Sequence, residues 1–382
     1  MSTDIISVVI GPFCPESAVR QHRQVPSFSI SWSHDNRYNV VFEKKSSKGV
    51  FVNRHLMVYD MDGVLVDVSR SYRDVARQTV YRLIRTAHGG DRLPDPLFSL
   101  ADLAAVKQSG GLNNDWDLTY TLLDLLFSRI DISRLPAGGP DPWRYYTETM
   151  PRLDVNALAV FLATADHPLL QLWRNGNHRR SPYVARLCAH DVGSGNVVKQ
   201  VFQEIYLGEA LFMKTYGFPP RLYRGQGYIT RERLFVAQHR LADLSRHHIL
   251  GVATGRPRSE ALYALERHGL MRLFQAVYTL EDCLTAEEDL YQRTGKRQNL
   301  GKPHPFMLDA VGDQYAHQVK KCCYFGDMPD DMLAAARSKH PFVPVGCVYA
   351  AADKSALVRT LRAAGAEIIV RTPEELTAIR PP

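Results

Sequence analysis

Leu56-Met57-Val58-Tyr59-Asp60-Met61-Asp62-Gly63-Val64-Leu65-Val66-Asp67 is the stretch on which the reading of this 382-residue chain turns. Four largely apolar residues, two carboxylates one position apart, a glycine and more apolar residues read as a short buried strand ending in a polar loop. On an extended chain, residues i and i+2 point the same way, so Asp60 and Asp62 are expected to face one small volume. Two buried like charges repel unless a cation joins them. A solvated Asp-Gly turn and a metal-assisted site are therefore both open from this pair alone.

Three later segments bear on that choice. Ile249-Leu250-Gly251-Val252-Ala253 runs as an apolar strand into Thr254-Gly255-Arg256-Pro257, again a hydroxyl and a glycine at a strand's end. Gly301-Lys302-Pro303 opens a helix-like segment and supplies a cation. Cys322-Cys323-Tyr324-Phe325-Gly326 ends in Asp327, with Asp330 and Asp331 ahead of a helical 332–337. In order and spacing these segments resemble the four motifs of the haloacid dehalogenase superfamily: an Asp-x-Asp, a Ser/Thr, a Lys and an Asp pair.

The texture of the chain agrees with such a fold. From about residue 230, apolar strands at 249–253, 276–278, 322–326, 344–348 and 367–370 alternate with helices near 231–246, 258–268, 304–313, 329–338 and 354–364. That alternation predicts an α/β, doubly wound parallel sheet (Rossmann-like) covered on both faces, with 56–60 as a further strand. Between lies a largely helical stretch, with helices near 71–86, 101–107, 115–130, 152–165 and 197–215 and Ser69 or Ser71 as the first N-cap. The expected division is an N-terminal β hairpin extension over 1–54, a core over 55–69 and 226–382, and an inserted α-helical cap over 70–225. In the extension, Phe28, Ile30 and Trp32 alternate with serines, and residues 38–42 return after a turn. A lone hairpin is marginal in water, so this one is expected to pack on the core or on a second subunit, giving a homodimer through the hairpin or the cap.

Composition bounds the rest. Hydrophobic content of 45% and charged content of 23% are ordinary for a globular protein. No run reaches a membrane span, and the first 17 residues lack a basic start and long apolar core, so a cytoplasmic location without membrane partners is expected. Six dispersed cysteines without metal-ligand spacing read as reduced core residues. A net charge of +7 suits anionic substrates; without a basic repeat interleaved with aromatics, no nucleic-acid partner is expected.

What the resemblance implies is specific. Asp60 would be the nucleophile that forms an aspartyl phosphate, and Asp62 the acid–base group for leaving alcohol and water. Superfamily members that cleave carbon–halogen bonds lack the second Asp, so Asp62 implies phosphoryl transfer. Magnesium would take Asp60, the Asp62 backbone carbonyl and Asp327, with Asp331 in or near its shell and Asp330 capping the following helix or bracing a ligand. Thr254 and the Gly255 amide would hold phosphate oxygens, and Lys302 would neutralise the phosphate and Asp60.

A closer resemblance, covering roughly 55–375, is to a phosphoglycolate-phosphatase-like branch of subfamily IA. It is carried by Asp67-Val68-Ser69-Arg70-Ser71-Tyr72-Arg73, Gly110-Gly111-Leu112-Asn113-Asn114-Asp115-Trp116, Phe202-Gln203-Glu204-Ile205-Tyr206-Leu207-Gly208 and Thr254-Gly255-Arg256-Pro257-Arg258-Ser259-Glu260-Ala261. The expected function is a magnesium-dependent phosphatase for a small phosphorylated metabolite. Alternatives are a β-phosphoglucomutase-type phosphomutase and a non-catalytic binding protein on the same fold. Arg73, Lys107, Asn113, Asn114 and Trp116 are the candidate substrate readers, against an internal role in which Trp116 packs a helix start and Asp115 caps it. The basic residues Arg174, His178, Arg179, Arg180 and Arg186 match no superfamily motif and read as a solvated loop or a surface for an acidic partner.

Overall fold

The computed structural model describes residues 54–379 apart from 111–113, 137–138, 177–179 and 352. The expected N-terminal hairpin and Asn113 lie outside the described residues. Among the described residues, the first elements are β1 (Leu56–Tyr59) and β2 (Val66–Asp67). Eight helices follow: α1 (Tyr72–Ile84), α2 (Leu100–Gly110), α3 (Asp115–Phe127), α4 (Pro142–Thr149), α5 (Asn156–Thr164), α6 (Pro168–Arg174), α7 (Pro182–Leu187) and α8 (Val197–Tyr216). After β3 (Arg233–Leu234) come α9 (Gln238–His247), β4 (Ile249–Ala253), α10 (Arg258–Arg267), β5 (Ala276–Tyr278), α11 (Leu280–Thr294) and α12 (Phe306–Tyr315). The chain closes with β6 (Cys322–Gly326), α13 (Pro329–Arg337), β7 (Phe342–Cys347), α14 (Lys354–Ala363), β8 (Ile368–Val370) and α15 (Pro373–Ala378).

Six strands form one sheet in the order β5-β4-β1-β6-β7-β8, and every neighbouring pair is parallel. Its strands read as continuous apolar runs because both faces are covered. Met57, Tyr59, Leu250, Val252, Cys323 and Phe325 enter one core, while Leu56, Val58, Ile249, Cys322 and Tyr324 enter the other. The chain builds outward from β1 to β4 and β5, then crosses to β6, so the order reverses beside β1. Ligands bind such sheets at the carboxyl ends of the strands flanking that reversal.

The helical insertion has its own core, in which Val75, Leu83, Leu122, Leu158 and Phe202 are all fully buried. Its two connections to the sheet are joined by the antiparallel ribbon β2–β3, which pairs Val66 with Leu234 and Asp67 with Arg233. Here the structure corrects the expected helix over 231–246. Residues 228–236 are instead a short 3-10 turn, a ribbon strand and the buried Val236, and the helix starts at Gln238. Of the basic residues, Arg174 ends α6, Arg186 lies in α7, Arg180 is exposed between the two helices, and His178 and Arg179 lie outside the described residues. Leu169, Leu172, Tyr183, Val184 and Leu187 lie at helical spacing after an initiating proline, and they bury α6 and α7 in the insertion. Among the described residues, no helix is long and apolar enough to cross a membrane. The five described cysteines are free thiols, four of them buried.

Candidate active site

Strand ends bring the motif residues together. Asp60 follows β1, and its amide donates to the Phe325 carbonyl of β6 at 2.9 Å. Thr254 follows β4, is 1% exposed, and its amide donates to the Tyr278 carbonyl at 3.0 Å. Asp327 follows β6, and Asp331 lies in the first turn of α13. Two glycines permit the close approach. Gly63 sits at φ +75°, where a Cβ would collide with the Asp327 carboxylate, and a Cβ on Gly326 would collide with Asp331.

Lys302 enters this group from the loop before α12. Its Nζ lies 3.1 Å from Asp60 Oδ2 and 2.7 Å from Asp331 Oδ1, and it donates to the Tyr324 hydroxyl at 3.1 Å. That hydroxyl is fixed in turn by donating to the Ala253 carbonyl at 3.0 Å. Burial works against the Lys302 charge, yet Asp331 and Asp60 hold it protonated above the ordinary lysine range. Burial pushes Asp60 up to about 7, with Lys302 and the Met61 amide opposing and Asp331 and Asp62 adding to the rise. Burial likewise raises Asp327 well above the carboxylate range, reinforced by Asp331 and Asp60 and opposed by Lys107 and Lys302.

Asp60, Asp327 and Asp331 each offer an oxygen within 4.8 Å of the others'. This oxygen-only set, under-neutralised and partly desolvated, fits a hard divalent cation such as magnesium. At the start of α13, Asp331 Oδ2 accepts the Met328 amide at 3.0 Å.

Asp62 differs from the expectation of a shared volume. β1 ends at Tyr59, and the loop then turns, with the Gly63 amide returning to the Val66 carbonyl at 3.0 Å. Asp60 therefore faces Lys302, whereas Asp62 Oδ1 accepts from Arg256 Nε at 2.5 Å. The two carboxylates remain close enough for Asp62 to raise Asp60.

The model of the haloacid dehalogenase-like hydrolase family matches residues 237–345, which include Thr254, Lys302, Asp327 and Asp331. A solved structural-genomics target is 21% identical with a TM-score of 0.58, covering 84% of this chain and 97% of that one. The chain has the haloacid dehalogenase-like fold. Weaker likenesses include the phosphatase Tt82 from Thermococcus thioreducens, 19% identical, TM-score 0.45, covering 80% of this chain and 99% of that one. Another is a haloacid dehalogenase-like family hydrolase from Streptococcus pneumoniae, 12% identical, TM-score 0.35, covering 85% and 97%. No curated protein matches the chain.

On this haloacid dehalogenase-like scaffold the four core motifs converge, while the candidate readers are spread over the insertion. Gly255 is exposed beside the buried Thr254. Lys107, on α2, is held by Asp115 at 2.9 Å, and its charge is felt at Asp327. Asn114 caps α3, its side chain accepting from the amides of Trp116 at 2.8 Å and Asp117 at 3.4 Å. The α3 cap is thus Asn114 rather than Asp115. The Trp116 ring lies under Lys199 Nζ at 4.0 Å, and Arg73 is half-buried on α1.

Sequence reasoning passed over Arg256, Glu232 and Tyr324. Arg256 carried a signal, as an arginine directly after a Thr-Gly strand end. Tyr324 looked like one more apolar strand residue, and Glu232 lay in a segment read as helix.

Proposed function

We propose that this chain is a magnesium-dependent phosphatase acting on a small phosphorylated metabolite through an aspartyl-phosphate intermediate. The observation that carries the reading is Lys302 Nζ set between Asp60 and Asp331, with Asp327 beside them, at the strand ends where Thr254 also lies. In the first step an Asp60 oxygen bonds to phosphorus as the bond to the leaving oxygen breaks, and Asp62 gives its proton to that oxygen. In the second, water bonds to the same phosphorus and passes a proton to Asp62, the acyl-phosphate bond breaks, and phosphate leaves with Asp60 regenerated.

Thr254 and the Gly255 amide serve as donors to phosphate oxygens, and Lys302 offsets the charge that Asp60 and the phosphate bring together. Magnesium, held by Asp60, Asp327 and Asp331 with the Asp62 carbonyl, would supply further charge neutralisation at the phosphate. The resemblance to the phosphoglycolate-phosphatase-like branch supports reading residues 70–225 as a cap that selects the substrate, with Lys107 as the cation for a second anionic group. The test is to screen the purified chain against phosphomonoesters, with magnesium and with excess chelator, following free phosphate and isomerised product. Magnesium-dependent phosphate release is expected. Isomer without phosphate would make the chain a mutase, and no turnover would leave a binding protein.

A further inference from the structure

One guanidinium joins the second carboxylate to both connections of the helical insertion. Arg256 stands two residues after Thr254, and its side chain is 1% exposed. Its Nε and Nη2 both lie 2.5 Å from Asp62 Oδ1. Its other edge donates to Glu232, Nη1 to Oε2 at 3.0 Å and Nη2 to Oε1 at 3.2 Å. Glu232 is itself 3% exposed, and its Oε1 also accepts the Ser71 hydroxyl at 2.9 Å and the Tyr206 hydroxyl at 3.0 Å. The Tyr72 ring centre lies 5.2 Å from the guanidinium carbon.

These partners stand at the two connections of the insertion and within it. Ser71 and Tyr72 stand where the chain enters the helical insertion, Glu232 where it leaves, and Tyr206 on α8 within it. Ser71 occupies the N-cap position of α1 yet makes no side-chain cap bond, its hydroxyl being turned to Glu232 and to the Val68 carbonyl. A buried ion pair is a weak source of stability, because desolvation consumes most of its attraction, and apolar side chains would join the same elements as well. What a planar fork between two carboxylates adds is direction.

We propose, on the phosphatase reading above, that Arg256 is a positioning residue that ties the Asp62 carboxylate through Glu232 to the connections of the insertion, so that seating the insertion aims the proton-transferring oxygen. Both guanidinium contacts with Asp62 fall on Oδ1, which assigns the proton exchange to Oδ2. The arrangement orients Asp62 without touching the phosphate group held by Thr254 and Lys302.

The test uses Arg256→Lys and Glu232→Gln in the full chain, with 4-nitrophenyl phosphate and an alkyl phosphomonoester turned over by the unaltered protein. Nitrophenolate leaves without a proton, whereas an alkoxide needs one and the attacking water must lose one. Both variants are expected to give a stopped-flow burst of about one nitrophenolate per chain at a near-normal rate. The following steady state, and kcat on the alkyl ester, should fall about 10²-fold with KM little changed. The burst amplitude counts folded, competent sites, which a merely structural loss would lower.

A burst rate that falls in step with kcat would assign Arg256 to phosphate binding or to the fold, and overturn the proposal. Glu232→Gln is nearly isosteric and does not touch Asp62; normal kinetics in that variant would overturn the link to the insertion even if Arg256→Lys fails to fold. If the unaltered protein releases phosphate from no ester, the phosphatase reading falls first, and that control separates the two failures.

Discussion

Two buried ionic clusters flank the Asp60-Met61-Asp62 turn, and they are balanced differently. Around Lys302, one ammonium faces Asp60 and Asp331 with Asp327 alongside, and burial with mutual repulsion lifts Asp60 and Asp327 above the ordinary carboxylate range. Around Arg256, one guanidinium faces Asp62 and Glu232, and the hydroxyls of Ser71 and Tyr206 help satisfy Glu232. The first cluster is short of positive charge where a substrate would arrive, which suits a cation and a phosphate. The second is filled by its own side chains and suits holding a geometry. Two carboxylates of one loop thus stand in different charge balances because their cations come from different places, Lys302 from the loop before α12 and Arg256 from the end of β4.

Breaking the first cluster is expected to have the largest effect. Asp60→Asn should reduce turnover by at least about 10⁴-fold, the scale seen when a covalent nucleophile is removed. It should leave the melting temperature unchanged or higher, since it relieves repulsion with Asp327 and Asp331. Turnover within tenfold of normal, or about 1.4 kcal/mol, would make Asp60 something other than the nucleophile.

Chelation should silence the unaltered protein and magnesium restore it, while calcium, larger and looser in geometry, substitutes poorly. Magnesium should also raise the melting temperature, and Asp327→Asn should abolish that rise, whereas Glu232→Gln should keep it. A magnesium shift lost equally in both variants would mean that the two clusters are not independent.

Lys302→Ala should lower kcat by about 10²- to 10³-fold, the usual result of removing one preorganised charge-stabilising donor. Because Lys302 is half-buried and set between two carboxylates, stability should fall as well, by about 3 kcal/mol in chelator. Magnesium should recover part of that stability but not the rate. Comparing melting curves and kcat with and without the metal checks both halves.

A subtler measurement concerns Glu260, at the start of α10, which bonds the Tyr72 hydroxyl and accepts from Gln203 at 3.0 Å. Burial raises its pKa to about 7. The folded state therefore holds this proton more tightly than the unfolded state does. Its contribution to stability is full below about pH 4.5 and is lost as pH rises through about 7, amounting to about 3 kcal/mol. Glu260→Gln should flatten the fall in melting temperature between pH 5 and 8; an unchanged slope would place the proton elsewhere.

The smallest effect is expected at the insertion's edge. Asn114→Ala should cost about 1 kcal/mol of stability through the lost α3 cap. Lys107→Ala should instead raise KM for the preferred substrate while sparing a small aryl phosphate. A KM effect from Asn114 with no stability loss would reverse these two roles.

Much of this arrangement is legible in the chain itself. Strands β4, β5 and β6 run over the residues expected from their apolar runs, because a sheet buried on both faces leaves a continuous signal. The Asp60, Thr254 and Asp327 motifs announce themselves because each follows a strand, and Lys302 because it stands in a Gly-Lys-Pro turn ahead of a helix, where the backbone turns and polar side chains can converge. The short helices α4, α6 and α7 and the ribbon β2–β3 were not legible, since two to eight residues carry too little periodicity to stand out.

What only the tertiary structure decided is the pairing of charges. Alternation along a strand brought Asp60 and Asp62 to one side, but β1 stops at Tyr59 and the chain turns before the second carboxylate. The partner each then meets, Lys302 or Arg256, lies 242 or 194 positions away in the sequence. No local pattern encodes such a pairing. It follows from which strand ends the parallel sheet sets side by side, and from the return connection of the insertion, which brings Glu232 onto the same guanidinium.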